Sequence, residues 1–382
     1  MKKFIFTMLS ILIFGFDGVS QNYSVATTTK TFKDSRRSNR SVATKIYYPV
    51  STVTTQPNVT FPVIVLGHGF VMGSDAYQNF YNNLVPRGYI VVFVNSEGSV
   101  FANHDAYSKD LAFMVGAIQA ENTNSNSVLK GKVANKTALL GHSMGGGAAT
   151  VAASLTEVET LVTFAPAKLR FNTLTPASNV TEDALVFSGT SDGVTPPSEN
   201  HLPIYNSLGS ACKYFISITG GAHCYFANPN SACDFGERTS SNNIQITREQ
   251  QHQTTFKFLN SWLDYKLKGD LEAKQLFDND LTASVGINYQ NGCDQNITNN
   301  SLSKQQLEIT LFPNPTTTNV TIKTTELESF EKAEFYNEYG QLLLTSKKDQ
   351  VDVSTLQSGQ YIVKIYTKNS VSSKRMIIQK SK

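Results

Sequence analysis

Leu139-Leu140-Gly141-His142-Ser143-Met144-Gly145-Gly146-Gly147 is the stretch on which the fold turns. The apolar run Thr137 to Leu140 leads into it, and the helix-forming run Ala148-Ala149-Thr150-Val151-Ala152-Ala153 leads out. A Gly-x-Ser-x-Gly between strand and helix is a sharp turn that lifts a serine hydroxyl at the helix N-terminus. Side chains beside Ser143 would clash across so tight a turn, which is why glycines stand there, and the serine backbone is expected to be strained. The hydroxyl is expected in the open. The Met144 amide is expected to point where a carbonyl oxygen would gain negative charge. An inert glycine-rich turn would explain the glycines alone, but not their placement between strand and helix.

Outward from this turn the pattern stays consistent. Phe61-Pro62-Val63-Ile64-Val65-Leu66 and Tyr89-Ile90-Val91-Val92-Phe93-Val94 are continuous apolar runs, as strands buried on both faces of a parallel sheet require. Between them Phe80, Tyr81, Leu84 and Val85 fall at helical spacing before Pro86-Arg87-Gly88. Leu111, Met114, Val115 and Ile118 share one face of a next helix. Further strands are predicted at Leu161–Phe164, Ala184–Phe187 and Tyr214–Ile218. A last long helix is predicted from about Thr247 to Leu267, burying Phe256, Leu259, Trp262 and Leu263. Residues 23 to 48 alternate as antiparallel edge strands do. Strands alternating with helices predict an α/β fold with a doubly wound, mostly parallel sheet.

The 382 residues suit two domains rather than one. Lys2 and Lys3, the apolar run Phe4 to Phe16 and the small residues Gly18-Val19-Ser20 predict a signal peptide over 1–20 and export of the rest. No later segment reaches membrane-spanning length. The catalytic domain is expected over 21–294, and an Asn/Gln/Ser/Thr-rich linker over 295–306. Residues 307–382 hold short apolar runs at close spacing (Val320-Thr321-Ile322, Ala333 to Tyr336, Tyr361 to Ile365, Met376 to Ile378), as a small β-sandwich does. A net charge of +3 without any Lys/Arg cluster interleaved with aromatics gives nucleic acid no purchase. Export permits disulfides among Cys212, Cys224, Cys233 and Cys293. Three connectivities are possible and the sequence does not choose. Cys224 with Cys233 and Cys212 with Cys293 is preferred, and zinc is disfavoured because no paired C-x-x-C occurs.

A serine nucleophile needs a base and an orienting acid. The elbow fold supplies them in the order Ser, acid, His, each after a later strand. Asp192, in Ser188-Gly189-Thr190-Ser191-Asp192-Gly193, leaves the strand Ala184 to Phe187; Asp183 precedes that strand and lies at the wrong edge. Of the six histidines, His68 sits in the early loop, His104 and His201 are read as loop residues, His142 packs under the elbow and His252 lies in the last helix. His223, in Gly220-Gly221-Ala222-His223-Cys224 after Tyr214 to Ile218, remains as the base. The second oxyanion donor is expected from Gly67-His68-Gly69-Phe70, with the Phe70 amide beside that of Met144. The chemistry expected is acyl transfer through Ser143, Asp192 and His223, with no cofactor and no metal.

Gly67-His68-Gly69-Phe70, Gly141 to Gly147, Ser191-Asp192-Gly193-Val194-Thr195-Pro196 and Gly221-Ala222-His223 resemble, over roughly residues 23–293, the bacterial cutinase and polyester hydrolase family of α/β-hydrolases. That family includes the poly(ethylene terephthalate) hydrolases. The resemblance implies a lidless, shallow groove for acyl esters and polyesters, lined at Phe70, Met144, Ala167 and Val194. Phe164-Ala165-Pro166-Ala167 departs from it: Ala167 stands where the family commonly has a Trp that walls an aromatic clamp, and Tyr225 or Phe226 is the nearest substitute. Phe312-Pro313-Asn314-Pro315, Leu356 to Ile365 and Ser373 to Ile378 resemble a sorting domain of the type IX secretion system of Bacteroidetes, implying passage over the outer membrane and removal on export. The partners expected are an ester or polyester substrate and the secretion machinery, with the enzyme a monomer. A lidless lipase or serine peptidase is the competing enzyme. A surface-binding protein is the competing class, with Tyr336, Tyr339 and Tyr361 as its aromatic strip.

Overall fold

The computed structural model describes residues 23–51, 59–293, 310–323, 330–337, 341–367 and 370–380. The expected signal peptide and linker lie outside the described residues. The chain divides into two compact units, Met1–Asp294 and Gln295–Lys382.

The first unit is one nine-stranded sheet. Its strands are β1 (Ser24–Asp34), β2 (Arg40–Val50), β3 (Phe61–Gly67), β4 (Ile90–Val94), β5 (Val133–His142), β6 (Thr160–Phe164), β7 (Ala184–Gly189), β8 (Lys213–Ile218) and β9 (Ile287–Asn291). They lie in the order β1-β2-β4-β3-β5-β6-β7-β8-β9. The run from β4 to β8 is parallel, while β1, β2 and β9 pair antiparallel at the edges. The helices are α1 (Gln78–Leu84), α2 (His104–Ala120), α3 (Met144–Ala153), α4 (Leu174–Ala177), α5 (His201–Ser207), α6 (Ser231–Ser240), α7 (Arg248–Lys268) and α8 (Leu271–Ala283).

Alternate strand residues feed opposite layers, which is why the central strands read as unbroken apolar runs. Val63, Val65, Val92, Leu139 and Val186 pack under α2 and α3 through Leu111, Met114, Ile118 and Ala148. Ile64, Leu66, Phe93, Leu140 and Phe187 pack under α1, α7 and α8 through Phe80, Phe258, Trp262 and Phe277. Burying one such side chain contributes about 1.5–3 kcal/mol, so these two layers dominate the unit's stability. Trp262, the only Trp, is core; its indole N–H donates to Thr160 Oγ1 at 2.9 Å. Asp183 stands just before β7, at the N-terminal end of that strand, paired with Lys266.

Four expectations shift. His104 and His201 are not loop residues but the first residues of α2 and α5. The long helix is α7, with Phe256 only half-buried on it, and it is not the last: α8 follows beyond the left-handed Gly269 (φ 72°).

The second unit holds β10 (Thr310–Phe312), β11 (Asn319–Lys323), β12 (Phe330–Tyr336), β13 (Leu342–Ser346), β14 (Gln350–Asp352), β15 (Gly359–Thr367) and β16 (Ser370–Ile378). They form the sheets β10-β11-β14 and β13-β12-β15-β16 around Val320, Phe335, Val363, Ile365 and Met376. Tyr361 belongs to that core and its hydroxyl donates to the Gln357 carbonyl at 2.7 Å, so it adds nothing to an exposed strip. Tyr339 lies outside the described residues.

Candidate active site

The candidate residues gather at the C-terminal ends of the parallel strands, where open α/β sheets place their crevices. Strain gathers there too. Val71, Glu97, Ser143 and Ala165, just past β3, β4, β5 and β6, all have positive φ without being glycine. Each such residue costs of order 1–3 kcal/mol and persists only where the surroundings hold it.

Ser143 has φ 57° and ψ −122°. A Cβ on Gly141 would come 2.1 Å from the Gly145 carbonyl oxygen, and one on Gly145 would come 2.3 Å from that of Gly67. The end of β3 therefore lies hard against the start of α3, which brings the two expected oxyanion segments together. Ser143 N–H donates to the Phe164 carbonyl, and the Ser143 carbonyl accepts from Gly146, Gly147 and Ala167. Ala167 is thus bonded directly to Ser143. Ser143 keeps only 8% of its surface, while Phe70 keeps 42%. Among the described residues, the N–H groups of Met144 and Phe70 have no partner. That of Met144 stands at the positive end of a ten-residue helix.

Asp192 and His223 leave β7 and β8. His223 Nδ1 lies 2.7 Å from Asp192 Oδ2, both side chains buried. An ionised carboxylate only accepts, so Nδ1 carries the proton and Nε2 is left with its lone pair. Thr195 N–H donates to Asp192 Oδ1 at 2.8 Å. Burial pushes the Asp192 carboxyl up, but His223, His201 and the Thr195 amide outweigh it and hold the group below its ordinary range.

The loop bearing His223 is fastened on every side. Gln251 on α7, fully buried, accepts from Ala222 N–H and donates to the Ala222 carbonyl, each at 2.8 Å. Cys224 N–H donates to the buried Glu237 at 2.5 Å, Arg248 donates to the Cys224 carbonyl, and Cys224 is bonded to Cys233. The second disulfide joins Cys212 to Cys293, so the pairing matches the preferred one.

His142 links the three segments. Gly69 N–H donates to Tyr77 Oη at 2.7 Å, Tyr77 O–H lies 2.9 Å from His142 Nδ1, and His142 Nε2 lies 3.1 Å from the His223 carbonyl. The carbonyl can only accept, so Nε2 carries the proton and Nδ1 receives that of Tyr77. Burial, then the neighbouring His223, drives the His142 imidazole well below its ordinary pKa, so it stays neutral.

Other expected residues stand further off. Val194 is half-buried and faces Gly236 of α6. Phe226 cannot replace the missing aromatic wall, because it is wholly buried against Phe164, Phe187 and His142. Tyr225 lies under the Arg248 guanidinium, 4.6 Å from it. Sequence reasoning missed Tyr77, Thr195, His201, Glu237 and Gln251. Only Thr195, inside the motif around Asp192, left a local signal.

A family model described as PET hydrolase-like matches residues 20–241, more than half of the chain. A model described as a secretion system C-terminal sorting domain matches residues 310–379, and it marks the chain as secreted. No curated protein matches. Among the described residues no helix is long and apolar enough to cross a membrane.

Proposed function

The chain belongs to the PET hydrolase-like family, and from that premise we propose that it is a secreted serine hydrolase of carboxylic esters, cutinase-like, acting on short-to-medium acyl esters and on polyesters. The observation that carries this is the 2.7 Å bond from His223 Nδ1 to Asp192 Oδ2, which leaves Nε2 free to take a proton beside a strained serine elbow. His223 Nε2 removes the Ser143 proton as Oγ attacks the ester carbonyl. The Met144 and Phe70 amides hold the oxyanion, worth about 10²–10³ in rate per donor in comparable sites. His223 gives its proton to the departing alcohol, and water, activated by the same imidazole, releases the acid and frees Ser143.

Polyester turnover is the finer part of this reading. Ala167 offers no aromatic face next to Ser143, Phe226 is wholly buried, and the Tyr225 ring carries the Arg248 guanidinium. Small soluble esters are therefore the better substrates, and aromatic polyester a slower one. The sorting domain hands the chain to the secretion machinery. Hydrolysis of p-nitrophenyl butyrate by the wild type and not by Ser143→Ala tests the core of the proposal; equal rates would sink it. On polyester film Ala167→Trp is expected to raise product release. An unchanged yield would remove the clamp from the account.

A further inference from the structure

A second imidazole lies against the acid. His201 Nε2 is 3.5 Å from Asp192 Oδ2 and 2.9 Å from Thr195 Oγ1, and its Nδ1 is 2.8 Å from Ser188 Oγ. Thr195 Oγ1 is itself 3.2 Å from Asp192 Oδ2, 2.8 Å from His223 Nδ1 and 3.4 Å from the Ala165 carbonyl. His201, Thr195 and Ser188 are all buried. Proton transfer at Ser143 requires none of them, and a buried imidazole is costly to satisfy where an apolar side chain would pack.

One hydrogen decides what the cluster does. If Thr195 O–H pointed at His201 Nε2, a hydroxyl oxygen without its proton would face the carboxylate. If His201 carries its proton on Nε2 and donates to Thr195, the hydroxyl turns onto Asp192 Oδ2, and Ser188 O–H fills Nδ1. Of the two, this second arrangement satisfies every group, and the carboxylate at 3.2 Å is a nearer and charged acceptor compared with the Ala165 carbonyl at 3.4 Å. Asp192 then accepts Thr195 N–H, Thr195 O–H and His223 Nδ1–H together. The same three residues, Asp192, His201 and His223, are spaced closely enough to suggest a metal, but Thr195 Oγ1 already lies within hydrogen-bond range of His201 and His223 and 3.2 Å from Asp192.

We propose that His201 is a positioning residue of this active site: its Nε2–H turns the Thr195 hydroxyl onto Asp192 and so fixes the carboxylate that orients His223. This rests on the ester-hydrolase reading above. Burial pushes the His201 imidazole down to about 4, against the opposing pull of Asp192, so the imidazole stays neutral well above that pH. Asp192 and His223 are the titrating groups that act on it.

Steady-state hydrolysis of p-nitrophenyl butyrate tests the assignment, with wild type and Ser143→Ala measured beside the variants. His201→Leu and Thr195→Val are each expected to lower kcat about tenfold while KM changes little, as loss of alignment does. The double variant should be no slower than Thr195→Val, because both act through one hydroxyl. His201→Gln, whose amide N–H reaches where Nε2–H lies, should recover most of the loss. It also serves if the Leu variant does not fold. A wild-type kcat in folded His201→Leu, losses that multiply in the double variant, or a Gln variant as slow as Leu would each overturn the proposal. So would loss of wild-type activity to a chelator with recovery on adding zinc. Equal rates for wild type and Ser143→Ala would instead defeat the ester-hydrolase reading itself, and the positioning role with it.

Discussion

Tyr77 shows how much one hydroxyl holds at this site. It takes the Gly69 N–H and gives its own proton to His142, all of it buried, so the loop after β3, the elbow and the His223 loop share one chain of bonds. Tyr77→Phe keeps the ring in the core and strands both partners. An unsatisfied buried group costs about 1–3 kcal/mol, so urea denaturation should show a loss of about that size or somewhat more, with a fall in kcat at nearly constant KM. Undiminished stability and kcat would mean the bonds carry neither. The buried histidines add a pH dependence with a definite sign. His142 and His201 are held neutral by burial, with folded pKa values below the unfolded value of about 6.5. Below that value the unfolded chain takes up protons that the folded chain refuses. Stability is therefore full above about pH 6.5 and falls as pH drops towards about 4, His201 contributing on the order of 3 kcal/mol over that window and His142 acting in the same direction. The depressed Asp192 carboxyl acts in the same direction only at lower pH, where it begins to take up its proton. Urea midpoints measured from pH 7 to 4.5 should decline in the wild type and decline less in His201→Gln. A flat wild-type profile would contradict the neutral buried pair.

At the scale of elements, the two disulfides divide their labour. Cys212–Cys293 spans 81 residues and closes the edge of the sheet, where β9 pairs with β8. Cys224–Cys233 spans 9 and clamps the residue after His223 to α6. Loop-closure entropy assigns roughly 4–5 kcal/mol to the long bridge and just under 3 kcal/mol to the short one. Replacing Cys212 and Cys293 by serine should lower Tm more, with kcat kept in the folded protein. Replacing Cys224 and Cys233 should lower kcat more, because the base loop is loosened. The reverse pattern in paired Tm and kcat measurements would refute this division. The same contrast between interior and rim explains which elements were legible in the sequence. β3, β4, β6 and β7 announce themselves because they are buried on both faces. α8 did not, since it buries only Ala273, Phe277 and Leu281 along one narrow stripe, and α6 buries only Glu237. β9 is an exposed polar edge strand, Ile-Asn-Tyr-Gln-Asn, with little pattern to read.

In the whole molecule, chain order and sheet order rise together from β3 through β5, β6, β7 and β8, so the elbow, the acid and the base could be sought strand by strand. What surrounds them could not. Tyr77 and His142 are 65 residues apart, Ala222 and Gln251 are 29 apart, and His201 opens a helix instead of standing at a strand end. Such bonds exist only once the layers have packed, and no local periodicity encodes them. The two units part beside the stretch where the composition turns to Asn, Gln, Ser and Thr. Among the described residues, the hydrophobic clusters of the first unit draw on residues up to Cys293, and that of the second on residues from Leu311 onward. Each unit thus carries its own core, the condition for folding alone. A chain ending at Asp294 should therefore hydrolyse p-nitrophenyl butyrate with kcat/KM within about twofold of the full chain and unfold at nearly the same temperature. It should also remain inside a host that exports the full chain, because the sorting domain is gone. A truncated enzyme with a much lower Tm would show that the second unit supports the first. One that is still exported would show that the address lies elsewhere.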